Sequence, residues 1–157
     1  MDGRRAMLRH ALATIAYRGG KAVRNAPPTF AASKTGEPSR SAVELLAHIG
    51  DLFDWALSMA KGAQVWNEAT PLPWDDEVAR FHASLKRFDD FLASDADLHA
   101  PVERLLQGPV ADALTHVGQI AMMRRMAGSP ITGENYFVAD IETGRVGPDQ
   151  APPRRTF

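Results

Sequence analysis

The sequence predicts an all-α protein, a four-helix bundle followed by an extended C-terminal arm, and three observations carry that expectation. Four stretches of about twenty residues repeat apolar side chains at intervals of three and four, the period of a helix buried on one face. Each is bounded by residues that start or stop helices. No alternating apolar and polar run is long enough to build a sheet. At 157 residues the chain can bury about 70% of the surface its unfolded form exposes, so one domain without staples is expected.

Composition narrows the class further. With 18 Lys and Arg against 19 Asp and Glu the net charge is -1, and no helix gathers a basic face, so no nucleic-acid partner is expected. The absence of cysteine excludes disulfides, thiolate metal sites and a cysteine nucleophile, and agrees with a reducing, cytoplasmic location. No segment approaches the roughly 20 apolar residues of a membrane span, and the stretch after Arg4, Arg5 and Arg9 lacks the apolar run of a signal peptide.

The first helix is expected from residue 4 to about 24, with Leu8, Ala11, Leu12, Ile15, Gly19 and Ala22 on one side. Gly19-Gly20 lowers helix propensity by about 1 kcal/mol per glycine, so either the helix frays there or a neighbour packs closely. Ala26-Pro27-Pro28 ends it, and 29–40 reads as a surface loop. Ser41 and Glu44 have capping-box spacing and start a second helix that runs to Lys61, with Gly62 just beyond. On it Leu45, His48, Leu52, Trp55 and Met59 share a face, which places His48 near the centre of an apolar stripe. A connector lays Trp74 on the bundle, and Asp75 or Asp76 caps a third helix whose core face is Val78, Phe81, Leu85, Phe88 and Leu92. His82 lies at the border of that face. Residues 101–107 form a short helix, Gly108-Pro109 a break, and Pro109 to Gly128 the fourth long helix. Residues 129–147 follow as an arm along the bundle. The bundle therefore occupies 1–147, and 148–157 is a disordered tail.

The chemistry concentrates on the fourth helix. Asp112, His116, Gln119 and Met123 are spaced four, three and four apart and fall in one sector. Ala111, Ala113, Ile120, Met122, Met126 and Ala127 flank them, so the sector reads as an apolar surround in which a carboxylate needs a partner. His48 is that partner. His48, Asp112 and His116 would supply two imidazoles and a carboxylate to one divalent transition metal, Zn, Ni or Fe, leaving positions open for a small-molecule substrate. The competing reading is a buried, hydrogen-bonded Asp-His network. Tyr17, Tyr136 and His82 are further pocket candidates, each with ordinary packing as its alternative. Gln119 carries no expected ligand role.

The segments LLAHIGDLFDWAL and GPVADALTHVGQIAMMRRMAG resemble those of the DinB-like metalloenzymes. The resemblance implies a four-helix bundle, a homodimer, and a metal commonly held by three histidines. His48 matches the histidine of the second helix and His116 the second histidine of an H-x-x-x-H motif. Asp112 stands where that motif has its first histidine. Relatives that transfer or isomerise with small thiols imply a thiol S-transferase type of reaction with a low-molecular-weight thiol as partner. A metal-dependent hydrolase and a non-catalytic dimeric metal- or ligand-binding bundle are the alternatives.

Overall fold

The computed structural model describes residues 2–157. Helix α1 spans Gly3–Val23, and its N-cap Asp2 accepts from the Arg4 N–H. Helix α2 spans Ala42–Ala60 and begins with the expected capping box, Ser41 and Glu44 each accepting from the other's backbone N–H. Helices α3, Trp74–Ala93, α4, Val102–Leu105, and α5, Ala111–Met126, complete the set. Both α2 and α5 stop at a glycine in the left-handed region, Gly62 at φ +78 and Gly128 at φ +74. In each case the glycine N–H and the next one return to the last turn, Gly62 to Met59 and Ala63 to Ser58, Gly128 to Arg125 and Ser129 to Arg124. An L side chain at either glycine would be strained.

Two local expectations need correction. Asp75 and Asp76 do not cap α3, which starts at Trp74 after Pro73; they sit in its first turn, where negative charge suits the helix dipole. The buried Glu77 carboxylate instead accepts from the Leu72 N–H at 2.9 Å. Nor does Gly108-Pro109 break the chain. The π-helical turn Leu106–Val110 joins α4 to α5 without interruption. A proline ring collides with the carbonyl four residues back in an α-helix, and the wider π turn relieves that collision.

Each long helix packs chiefly against two others, α1 and α2 each against both α3 and α5. Arg9 pairs with Asp89, and Gly19 meets Phe81, so α1 and α3 run antiparallel. His48 faces Asp112 and Leu45 shares a cavity with Gln119, so α2 and α5 do as well. The other two pairs are parallel. Arg4 reaches Glu103 while Arg124 reaches the last carbonyls of α1, and Arg80 and Arg87 of α3 reach Asp51 and Asp54 of α2 in that order. The topology is up-down-down-up, with a crossover connection between the parallel helices α2 and α3. It is possible because the 61–73 connector, about 40 Å when extended, can retrace α2, about 28 Å long. No described helix is long and apolar enough to cross a membrane.

Gly19 is a point of close approach and not a fraying end. A Cβ there would lie 2.6 Å from the Phe81 ring, so only glycine lets α1 and α3 meet at this depth. Phe53, Phe81 and Phe88 fill the core beside it.

The arm after Gly128 carries a 3-10 turn, Tyr136–Val138, and is fastened to α1. The buried Glu134 carboxylate accepts from the Tyr17 hydroxyl and, at 2.7 Å, from the Lys21 ammonium. Burial and this carboxylate push the Tyr17 phenol well above its usual value. Tyr136 stands edge-on to Tyr17, with the Arg18 guanidinium 4.2 Å from its ring centre. Residues 148–157, expected as a disordered tail, instead return to this arm. Thr156 bridges Glu134, the Asn135 N–H donates to Arg155 at 3.0 Å, and the Phe157 N–H to Gly133 at 3.1 Å. Their polar composition gave no sign of the backbone partners waiting at 133–135. Glu134→Ala leaves the tyrosine hydroxyl and the ammonium without an acceptor, and we expect a loss of about 2–4 kcal/mol in urea unfolding. Faster amide exchange at Asn135 and Phe157 in the folded variant would show the arm released.

Candidate metal centre

The buried seam of α5 is Ala113, Val117, Ile120, Met123 and Arg124. Asp112 and His116 each precede a member of that seam by one residue, which turns them to the edge facing α2. There the His116 Nε2 lies 3.4 Å from Asp112 Oδ1, and the His48 Nε2 lies 3.9 Å from Asp112 Oδ2. The two imidazoles meet edge to face with centres 4.9 Å apart. One ligand atom from each of the three residues lies within 4.8 Å of the other two. The cluster expected from the sequence is assembled.

Its surroundings differ from expectation at Asp112. The side chain is 49% exposed, against 13% for His48 and 12% for His116. Ala111, Met122, Met126 and Ala127 are exposed too, because α5 lies on the rim of the bundle and its outer face meets solvent. Small residues and methionines read as apolar in sequence without being buried. A desolvation penalty therefore gives no case for Asp112 as a ligand, and the case rests on its position between two imidazoles. His48 likewise sits at the border of the α2 core, which centres on Leu46, Ile49, Phe53 and Ala56.

No hydrogen bond joins any two of the three residues among the described ones, which disfavours the Asp-His network. Donor atoms about 2.0–2.2 Å from a tetrahedral ion stand about 3.4 Å from one another, so the gaps of 3.4 and 3.9 Å to Asp112 are close to what a metal needs, and the cluster, within 4.8 Å overall, would tighten around one. His116 Nδ1 lies 2.7 Å from Gln119 Oε1, a contact in which Nδ1–H donating to the amide oxygen would turn Nε2 toward Asp112 as the ligand nitrogen. His48 is held below its ordinary pKa by burial first, then by the charges of Arg40 and His116, so its ring is neutral and its lone pair free. Its Nδ1 is buried with no hydrogen-bond partner among the described residues, an unusual state for an imidazole with only a packing role. Trp66, on the 61–73 connector, covers this ring edge-on at 5.7 Å and packs in turn on Trp55.

Two cavities open at the cluster. One of about 120 Å³ adjoins His48 and is walled by Glu44, Asp51 and Glu68; one of about 280 Å³ adjoins His116 and is walled by Thr35, Leu45, Gln119 and Met123. Arg40 lines both. Sequence reasoning missed Trp66 and Arg40, and placed Gln119 in the sector without giving it a role. Gln119 showed its spacing from His116, but the other two come from connectors whose course no helical period predicts.

The remaining candidates lie elsewhere. Tyr17 and Tyr136 hold the arm, and His82 is buried between α3 and residue 146, its Nδ1 3.2 Å from the Val146 carbonyl. Burial, followed by the charge of Arg24, lowers the His82 pKa against the opposing carbonyl contact. His82 and His48 thus stay neutral in the fold to lower pH than in the unfolded chain, where both titrate near 6.5. As pH falls through that value the unfolded chain binds protons first, so stability is full above it and declines below it. We expect a lower urea midpoint at pH 5.5 than at pH 7.5, with the difference reduced in His82→Gln.

No family model, no curated protein and no solved structure gives a significant match to this chain.

Proposed function

We propose that His48, Asp112 and His116 hold one divalent transition metal, Zn²⁺, Ni²⁺ or Fe²⁺, and that the protein is a metal-dependent enzyme of DinB-like, thiol S-transferase type. The observation that carries the metal is the convergence of three ligand atoms from two helices within 4.8 Å, with no hydrogen bond among them. The reaction class is supported by the resemblance of the second and fourth long helical segments. A bound ion would supply Lewis acidity that lowers the pKa of a thiol or water. The chain's own residues do the rest. Gln119 fixes the His116 tautomer, Trp66 shields His48 from water, and the exposed side of Asp112 leaves an approach from solvent. With no cysteine in the chain, the sulfur nucleophile arrives on a co-substrate.

One observation favours the hydrolytic reading. Glu68 lines the cavity at His48 and makes no hydrogen bond or ion pair among the described residues, so its carboxylate is free to take a proton from water. Metal-loaded protein should conjugate a small thiol to 1-chloro-2,4-dinitrobenzene, with the rate removed by EDTA. EDTA-sensitive ester hydrolysis without thiol would support the hydrolase, and neither activity would leave a binding bundle. A homodimer belongs to the same reading, and light scattering at micromolar concentration tests it.

A further inference from the structure

We infer that Arg40 is the anion-recognising residue of this site, and that the substrate it selects carries a carboxylate held at Arg40 while its other end reaches the His48, Asp112 and His116 cluster. This rests on the metal reading above and adds the substrate class. Arg40 is exposed and makes no hydrogen bond or ion pair among the described residues, yet it lines the cavity at His48 and the cavity at His116 alike. Stability does not explain the position. Arg40 immediately precedes Ser41, the N-cap of α2, and the positive end of a helix dipole repels a cation there. Metal binding does not explain it either, since a guanidinium beside a divalent ion is repelled by it. Carboxylates lie near Arg40, and after the Ser41 hydrogen bonds the charge of Arg40 helps to lower the Glu44 pKa, yet none forms a hydrogen bond or ion pair with the guanidinium among the described residues. Glu44 accepts from the Ser41 N–H, Asp51 pairs with Arg80, and Glu68 shares the small cavity with Arg40 without forming a pair.

An anionic ligand resolves all three facts. The cavity beside His116 has no carboxylate among its lining residues, so the Arg40 guanidinium meets no counter-charge on that wall and attracts an anion there. The planar guanidinium matches a carboxylate through two parallel hydrogen bonds. The cavity beside His116 has Leu45 and Met123 on its apolar side and Thr35, Ser39 and Gln119 on its polar side, and its volume of about 280 Å³ suits a small molecule with a short apolar stem.

The test uses two thiols that differ only at the far end, 3-mercaptopropionate and 3-mercapto-1-propanol, titrated into Co²⁺-loaded full-length protein and followed by the thiolate-to-cobalt absorption band. The parent should bind the carboxylate about tenfold more tightly than the alcohol. Arg40→Gln should bring the two within about twofold with Co²⁺ affinity undiminished, and Arg40→Lys should keep part of the preference. Equal binding of both thiols by the parent, or equal weakening of both by Arg40→Gln, would overturn the inference and leave the metal reading standing. A second arm needs no metal: in EDTA-treated protein, propionate should shift the Arg40 Nε–H resonance and propionamide should not. If the protein takes up no Co²⁺, the metal reading fails and this arm decides Arg40 on its own. A propionate-specific shift keeps the anion site, and no shift removes it.

Discussion

Alanine at His48 or at His116 will lower divalent-metal affinity by about a hundredfold or more in competition with a chromophoric chelator, because each removes one of three protein ligands. His10→Ala and His99→Ala will leave affinity unchanged; neither histidine is part of the cluster. Asp112→Ala will cost about tenfold, less than either histidine, since water reaches the half-exposed position and can take the vacant place. Asp112→His will retain binding and move the preference toward Ni²⁺ or Cu²⁺, the direction in which nitrogen replaces oxygen. Gln119→Ala will weaken binding by about tenfold, because it frees the His116 ring to rotate and to place its proton on the ligand nitrogen. Affinity unchanged in Asp112→Ala would demote the carboxylate to a bystander.

Arg124→Ala will destabilise the fold by about 2–4 kcal/mol, among the largest stability losses expected outside the core. The Arg124 guanidinium is buried without a carboxylate partner, and burial lowers its pKa. Its Nη1 donates to the Ala22 and Arg24 carbonyls at 2.9 Å each, its Nη2 to the Asn25 carbonyl and the Ser129 hydroxyl, and its Nε to the Ser129 carbonyl. These are the orphan acceptors at the end of α1 and just past α5, so one side chain joins two helix C-termini that the parallel packing brings side by side. Truncation strands the buried Ala22 carbonyl, at about 1–3 kcal/mol when unsatisfied, and removes the donor of four further, part-buried acceptors. Arg124→Lys will recover only part of the loss, since an ammonium cannot span acceptors on two chain segments. A urea midpoint within experimental error of the parent would contradict this account.

Helix positions were legible in the sequence because their signals are local. The Ser41–Glu44 box and the glycines at 62 and 128 act within one turn, and each appears where it was expected. Parallel packing was not legible, because it depends on how far the 61–73 connector travels, and a coil with two prolines does not declare its direction. The Arg80 cluster with Asp51, Asp54 and Glu77 was hidden for the same reason: its members lie on two helices whose register follows from that connector. The three site residues emerged because two share a helix at a spacing of four and the third lies among apolar neighbours. Asp112's exposure did not emerge, since periodicity identifies a face but not whether another helix covers it. Pro109 misled because a proline in a helical pattern usually ends it, whereas the π turn Leu106–Val110 absorbs the ring one turn before the cluster.

The central claim is a metal held by His48, Asp112 and His116, and elemental analysis with X-ray absorption on untagged protein tests it most directly. The account predicts about one divalent transition metal per chain, a coordination shell with two imidazole nitrogens and a carboxylate oxygen, and loss of that signal in both His48→Ala and His116→Ala. Protein that stays metal-free after incubation with Zn²⁺, Ni²⁺ and Fe²⁺ would contradict it.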